Sequence, residues 1–172
     1  MGQYYKPSSI EKKQHVYSHD YDNGLKLMEH SYVGNNFVNA VMGLLIEGGA
    51  WYKDRIVWAG DYADGENGED SENLYHIVGE NNIKPEVKEL PKAYRYLCNH
   101  TIKQFVDLDT ITEAQDGWTI HPLPLLTCDG NGRGGGDYRG TNPLVGTWAK
   151  HSISIETVQP EGYAQISGNF IE

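Results

Sequence analysis

A chain of 172 residues with 38 % hydrophobic, 22 % charged and 11 % aromatic side chains carries enough packing material for one globular domain and too much for intrinsic disorder. Its 14 basic and 24 acidic residues give a formal charge of -10, which repels nucleic-acid phosphates and disfavours a nucleic-acid binder. An acidic mimic of nucleic acid is disfavoured as well, because the carboxylates gather in residues 61–72 instead of spreading along the chain.

The first residues read as a hairpin: aromatic Gln3-Tyr4-Tyr5-Lys6, a break at Pro7-Ser8-Ser9, strand-like His15-Val16-Tyr17-Ser18, then a turn cluster at residues 20–24. Alternation of Leu25 and Leu27 with Lys26 and Met28 predicts a short strand over residues 25–32. Asn35 or Asn36 can cap a helix that carries Phe37, Val38, Val41, Met42, Leu44 and Leu45 on one face and ends at Gly48-Gly49. Residues 51–59 read as a buried strand running into a solvated acidic loop. Tyr94, Leu97, Cys98, Thr101, Ile102 and Phe105 recur at intervals of three and four, which predicts a second main helix with Pro91 near its first turn.

The last third reads as strands at residues 118–121, 123–127, 147–157 and 163–166. The fold class expected is therefore α+β: one domain over residues 1–172, a mostly antiparallel sheet and two main helices. Trp51-x-Lys53-x-x-Ile56 recurs as Trp148-x-Lys150-x-x-Ile153, and Gly60-Asp61-Tyr62 as Gly136-Asp137-Tyr138. The two echoes stand in opposite order in the two halves, which argues against simple duplication but lets two similar strand ends meet at one site.

No run reaches the roughly 18 apolar residues that span a membrane; the richest, residues 37–46, is interrupted by Asn39 and Gly43. Residues 1–7 lack the charged and then apolar pattern of a secretory signal, so a cytoplasmic protein without membrane contact is expected. Cys98 and Cys128 lack paired zinc spacing and are expected to be free thiols. Self-association into a homo-oligomer stays open.

Gly2-Gln3-Tyr4-Tyr5-Lys6, Gly24-Leu25-Lys26-Leu27-Met28-Glu29-His30-Ser31, Arg55-Ile56-Val57-Trp58-Ala59-Gly60-Asp61-Tyr62-Ala63-Asp64, Tyr94-Arg95-Tyr96-Leu97, His121-Pro122-Leu123-Pro124-Leu125-Leu126 and residues 130–138 together resemble a family of uncharacterised proteins from bacteria and their phages. The resemblance covers nearly the whole chain. It implies one recurring domain and a phage or mobile-element setting, and it carries no activity or catalytic residues.

The segment Gly130-Asn131-Gly132-Arg133-Gly134-Gly135-Gly136-Asp137-Tyr138 is the leading candidate site. Its glycines can turn through positive φ and aim successive N–H groups into a concave nest for phosphate or carboxylate. Arg133 adds a fork of donors, and Asp137 can take a ribose hydroxyl or a water. No Gly-Lys-Ser/Thr follows and no amphipathic helix opens after Tyr138, so neither a P-loop nor a dinucleotide fingerprint fits; a plain tight turn does. Asp61 and Tyr62 are added to the candidate ligand site through their echo, and His121 as an acid-base residue pointing into it.

His15, His19, Asp20 and Asp22 have metal-ligand chemistry without convergent spacing, and Asp61, Asp64, Glu66 and Asp70 misplace the glycine and glutamate of a calcium loop, so no metal is expected. No cofactor is expected either. Adjacent strand residues face opposite ways, which bars Glu29-His30-Ser31 from forming a triad. Of Trp51, Trp58 and Trp148, at least two belong in the core, and the third can stack on a base. These features point to a protein that binds a phosphate-bearing small molecule, such as a nucleotide-derived signal sequestered in a phage anti-defence role. The alternatives are a hydrolase of a nucleotide-like or ADP-ribose-like ligand using Asp61, Asp137 and His121, and an acidic inhibitor or adaptor that binds a protein through residues 61–72.

Overall fold

Two polar residues and a left-handed lysine close the first hairpin. In the computed structural model, which describes residues 2–115 and 118–172, β1 (Tyr5–Ser9) pairs antiparallel with β2 (Gln14–Val16), Ser9 Oγ accepts from the Lys12 N–H, and Lys13 turns the chain at φ 51°. Pro7 does not break β1; it stands opposite Trp58, at a point where β2 pairs only Ser8 and Ser9. After a 3-10 turn (Ser18–Tyr21) come α1 (Leu27–His30) and α2 (Asn36–Leu44), then β3 (Arg55–Gly60), α3 (Leu74–Ile77) and β4 (Asn82–Ile83). The second half holds β5 (Tyr96–Asn99), β6 (Gln104–Asp107), α4 (Pro122–Thr127), β7 (Cys128–Asp129), β8 (His151–Glu156) and β9 (Ala164–Gln165). Nine strands form one mixed, mostly antiparallel sheet in the order β4-β2-β1-β3-β8-β5-β6-β9, with β7 alongside β3, so the class is α+β.

The helix capped at Asn35 forms as its spacing predicts: Asn35 Oδ1 accepts from the N–H groups of Phe37 and Val38, and Phe37, Val38, Ala40, Val41 and Leu44 are buried. Three other predictions are corrected. Residues 25–32 contain the short helix α1, because the Glu29 carboxylate accepts from the Lys26 N–H and three-residue spacing buries Leu27 with His30. The spacing from Tyr94 to Phe105 belongs to the β5–β6 hairpin, not to a second main helix. Asn99 Oδ1 accepts from the N–H groups of Thr101 and Ile102, Lys103 takes φ 53°, and both strands are buried on two faces, which erases the alternation that would have marked them. Residues 123–127 lie in α4, where Pro122 supplies no N–H that an opening turn would leave unpaired and His121 Nδ1 accepts from the Leu123 N–H. Of residues 118–121 only Ile120 bridges, to Tyr32, and the strand expected over residues 147–157 is shortened to β8 by a preceding turn.

The two halves repeat one another. Sheet order is palindromic about the antiparallel β3–β8 pair, and the pairing types match: β2 with β4 and β6 with β9 are parallel, while β1 with β2 and β5 with β6 are antiparallel. At the seam the echoed Trp-x-Lys-x-x-Ile segments exchange hydrogen bonds as across a local two-fold axis. The Lys53 N–H reaches Ile153 O at 3.1 Å, and the Lys150 N–H reaches Ile56 O at 2.8 Å.

The Trp51 indole donates to Gln14 Oε1 and the Trp148 indole to Gln104 Oε1, each glutamine following a left-handed lysine. Lys13, Lys53, Lys103 and Lys150 are four of the five non-glycine residues with positive φ among those described. The order of the Trp-x-Lys-x-x-Ile elements is thus the same in both halves, and only the Gly-Asp-Tyr echo is out of place. Trp51, Trp58 and Trp148 are all fully buried in the core, so none is left to stack on a ligand. Cys98 and Cys128 are free and buried.

Each half closes its own four strands, so a cut in the exposed link between them at Val87 should leave the β3–β8 seam intact. Protein nicked between Val87 and Lys88 is expected to elute as one species with a cooperative melt a few degrees lower; two separately eluting pieces would contradict this architecture.

Candidate functional site

The glycine segment begins where β7 runs parallel to β3, with Cys128 opposite Trp58 and Asp129 opposite Ala59, which delivers Gly130 beside Gly60. Gly130, Gly132 and Gly136 have φ of 95°, 91° and 77°. The N–H groups of Gly132, Arg133 and Gly134 converge on a single oxygen at 2.8, 2.9 and 3.0 Å, and that oxygen is Asp137 Oδ2. Gln3 Nε2 donates to the same oxygen at 2.8 Å and to Gly130 O, while the Tyr5 hydroxyl donates to Asp137 Oδ1 at 3.1 Å. Asp137 is 3 % exposed.

The nest therefore holds an anion, and the anion is its own aspartate. A phosphate would have to displace a carboxylate with five donors, and Asp137, at 3 % exposure, presents almost no surface to a ribose hydroxyl. Gly134 lets the loop close on the N-terminal residues: a Cβ there would sit 2.5 Å from Gln3 Cβ and 2.7 Å from Gln3 N.

Gly60-Asp61-Tyr62 lies against this loop through the same glutamine, because Gln3 Oε1 accepts from the Tyr62 N–H. Asp61 Oδ1 accepts from the Tyr4 N–H. Arg133 turns away from the nest and forks onto Asp64 at 2.8 and 3.0 Å, with a third bond to Tyr62 O. That fork holds the Asp64 carboxyl below the usual carboxylate range. Lys150 reaches Glu66, so the acidic loop is tacked down at two points. Between them Asp129, which its sequence context does not single out, has its carboxyl pushed up by burial and by Glu66 and Asp64, against the pull of Lys150 and Arg133.

His121 does not point into the glycine segment. Its Nδ1 caps α4, which leaves the proton on Nε2, and burial lowers its pKa to about 4. It lines a cavity of about 400 Å³ with Val33, Leu108 and Glu113. Asp61, Asp137 and His121 thus have separate partners and do not share a site. His30 is likewise committed: its Nδ1–H donates to Gly24 O, its Nε2 accepts from the Trp58 indole at 2.9 Å, and its pKa is about 4 through burial. A serine and a histidine do meet elsewhere, His100 Nε2 with Ser154 Oγ at 2.6 Å. There the Ser154 hydroxyl donates to Glu156, so it accepts from His100, and with no exposure it is a structural link. No three His, Cys, Asp or Glu side chains among the described residues are placed to hold a metal ion, and no helix among them is long and apolar enough to cross a membrane.

A cleft away from the glycine segment was not legible in the sequence. Antiparallel bonds from the Val33 N–H to Thr119 O and from the His121 N–H to Ser31 O join the two halves at the Tyr32–Ile120 bridge, and beside this bridge opens a cleft of about 540 Å³. Tyr32 and Trp118 meet edge to face at 4.9 Å on one wall, and Phe170 faces them from the end of the chain. The glycine segment sets two of the walls. Gly136 O accepts from the Met28 N–H, and Tyr138 bonds Ile171 O and packs its ring on Phe170. Ser31 is among the lining residues, while its Oγ is buried out of reach of solvent and without a hydrogen-bond partner. The smaller cavity of His121 shares Ile111, Glu113 and Thr119 with this cleft. No protein family, curated protein or solved structure matches the chain.

Two predictions follow from this geometry. Asp137→Asn places an NH₂ group against the donors of the nest and removes the charge they solvate; it is expected to cost about 3–5 kcal/mol in urea unfolding, against about 1 kcal/mol for Tyr5→Phe. For His30 and His121 the folded pKa of about 4 lies below the ordinary 6.5, so the unfolded chain binds protons first as pH falls. Stability is expected to be full above pH 7 and to drop between pH 6.5 and 4, by up to about 3 kcal/mol per ring. A urea titration that is flat across that window would refute it.

Proposed function

We propose that the protein binds a small molecule in the cleft bounded by Tyr32, Trp118 and Phe170, and holds it without turning it over. The observation that carries this reading is the cleft itself, a largely aromatic and aliphatic cavity in which Tyr32 and Trp118 meet edge to face and Phe170 adds a third ring. The volume of about 540 Å³ falls in the range of small-molecule sites.

Capture suits these side chains better than turnover. Ser31 adjoins a histidine whose two nitrogens are already engaged, and His121 is neutral with its basic nitrogen facing the backbone. A phosphate-bearing ligand at the glycine segment has less support, since the nest amides already serve Asp137. The adaptor reading rests on residues 61–72, where Asp64 and Glu66 already pair with Arg133 and Lys150. In the phage or mobile-element setting that the family resemblance implies, capture without turnover would sequester a host signalling molecule.

Incubation with nucleosides, nucleotides, ADP-ribose and cyclic dinucleotides, followed by thermal melts and chromatography, tests the proposal. Expected is a raised melting temperature with an intact compound, lost in Trp118→Ala. A consumed compound would establish turnover instead, and binding indifferent to that substitution would move the site elsewhere.

A further inference from the structure

We infer that the ligand of this cleft is a flat, uncharged heteroaromatic compound of nucleobase or nucleoside type, and that the cleft rejects its phosphorylated forms. The inference rests on the cleft being the binding site, and it concerns only which chemistry enters. Three aromatic side chains, Tyr32, Trp118 and Phe170, offer ring faces and edges, the arrangement that holds planar rings in an offset or edge-to-face contact.

The charge of the walls decides against phosphate. Glu113 and Glu172 both line the cleft, and no lysine or arginine is among its described lining residues. A chain of net charge -10 adds no compensating field. A phosphomonoester would bring about two negative charges into a cleft lined by two glutamates and, among the described residues, by no lysine or arginine, an arrangement opposite to that of phosphate sites.

Hydrogen-bonding groups complete the match. Glu113 lines both chambers, and its carboxylate can accept from an exocyclic amine. His121 Nε2–H lines the smaller chamber as a neutral donor, because its Nδ1 is occupied by the Leu123 N–H. A base carrying both acceptors and an amine satisfies these groups, whereas a purely aliphatic ligand leaves them unmet.

The test measures Trp fluorescence and melting temperature with adenosine, guanosine, cytidine and uridine and with their 5′-monophosphates, at low salt. At least one nucleoside is expected to bind, with its monophosphate at least about tenfold weaker; Glu172→Gln, at an exposed position, should narrow that gap by about threefold while keeping the nucleoside affinity within about threefold. A monophosphate that binds as tightly as its nucleoside overturns the inference, and if that binding still depends on Trp118 the cleft remains the site. A gap that is unchanged in the Glu172→Gln variant overturns the electrostatic cause. Absence of binding by all eight compounds overturns the ligand class, and the wider compound screen then decides whether the cleft binds anything.

Discussion

The carboxylate of Asp137 is the interaction on which the site region depends. A charge that is 3 % exposed persists only if its solvation is replaced, and here three loop amides, a glutamine and a tyrosine replace it. Those donors come from two ends of the chain, so one buried charge ties the first β-strand to the loop after α4. Gln3 extends the tie to Tyr62 through its other amide atom, which brings the end of β3 to the same point. Burial and the neighbouring Asp137 in turn push the Tyr5 phenol far up, which keeps it a hydrogen donor at any physiological pH.

A second constraint is the reciprocal seam of β3 and β8. Two tryptophans, two glutamines and four left-handed lysines occupy matching places in the two halves, and each lysine accepts a backbone conformation that costs an L-residue about 1–2 kcal/mol. The halves diverge where the first carries residues 61–72 after its seam strand and the second carries residues 130–138 before its own. These two departures from the repeat face one another, joined by Arg133 with Asp64 and flanked by Lys150 with Glu66. The acidic loop is therefore tied to the glycine segment at Asp64 and, at Glu66, to Lys150 just ahead of β8.

What the sequence made legible followed the range of the forces involved. Helix α2 was readable because its cap and its apolar face lie within about ten residues, whereas its end was misplaced: the helix stops at Leu44 with a right-handed Leu45, ahead of Gly48-Gly49. The nest was readable for the same reason, since Gly132, Arg133, Gly134 and Asp137 are near neighbours, yet the partners Gln3 and Tyr5 that bury Asp137 lie more than a hundred residues away. The β5–β6 hairpin failed because Leu97 and Val106 are as buried as Cys98 and Phe105, so strand alternation vanished and a helical spacing appeared by coincidence. Only Asn99 and Lys103, a side-chain turn and a left-handed residue, could have signalled it. The cleft had no signature because its walls come from α1, the Tyr32–Ile120 bridge, residues 111–114 and the last residues of the chain.

The nest and the cleft are mechanically one object. Gly136 holds the N–H of Met28 and Tyr138 holds Phe170 and Ile171, so the two residues that flank Asp137 each position part of the cavity lining. A loop built of glycine would ordinarily be too mobile to define a binding wall, because glycine loses the most backbone freedom on ordering. Filling the nest with an internal carboxylate removes that mobility without a ligand, so that, on the proposed capture role, the association energy of a guest would go into contacts instead of into ordering the loop. Glycine is needed here for close approach to Gln3 and for positive φ, and rigidity comes from the charge it encloses.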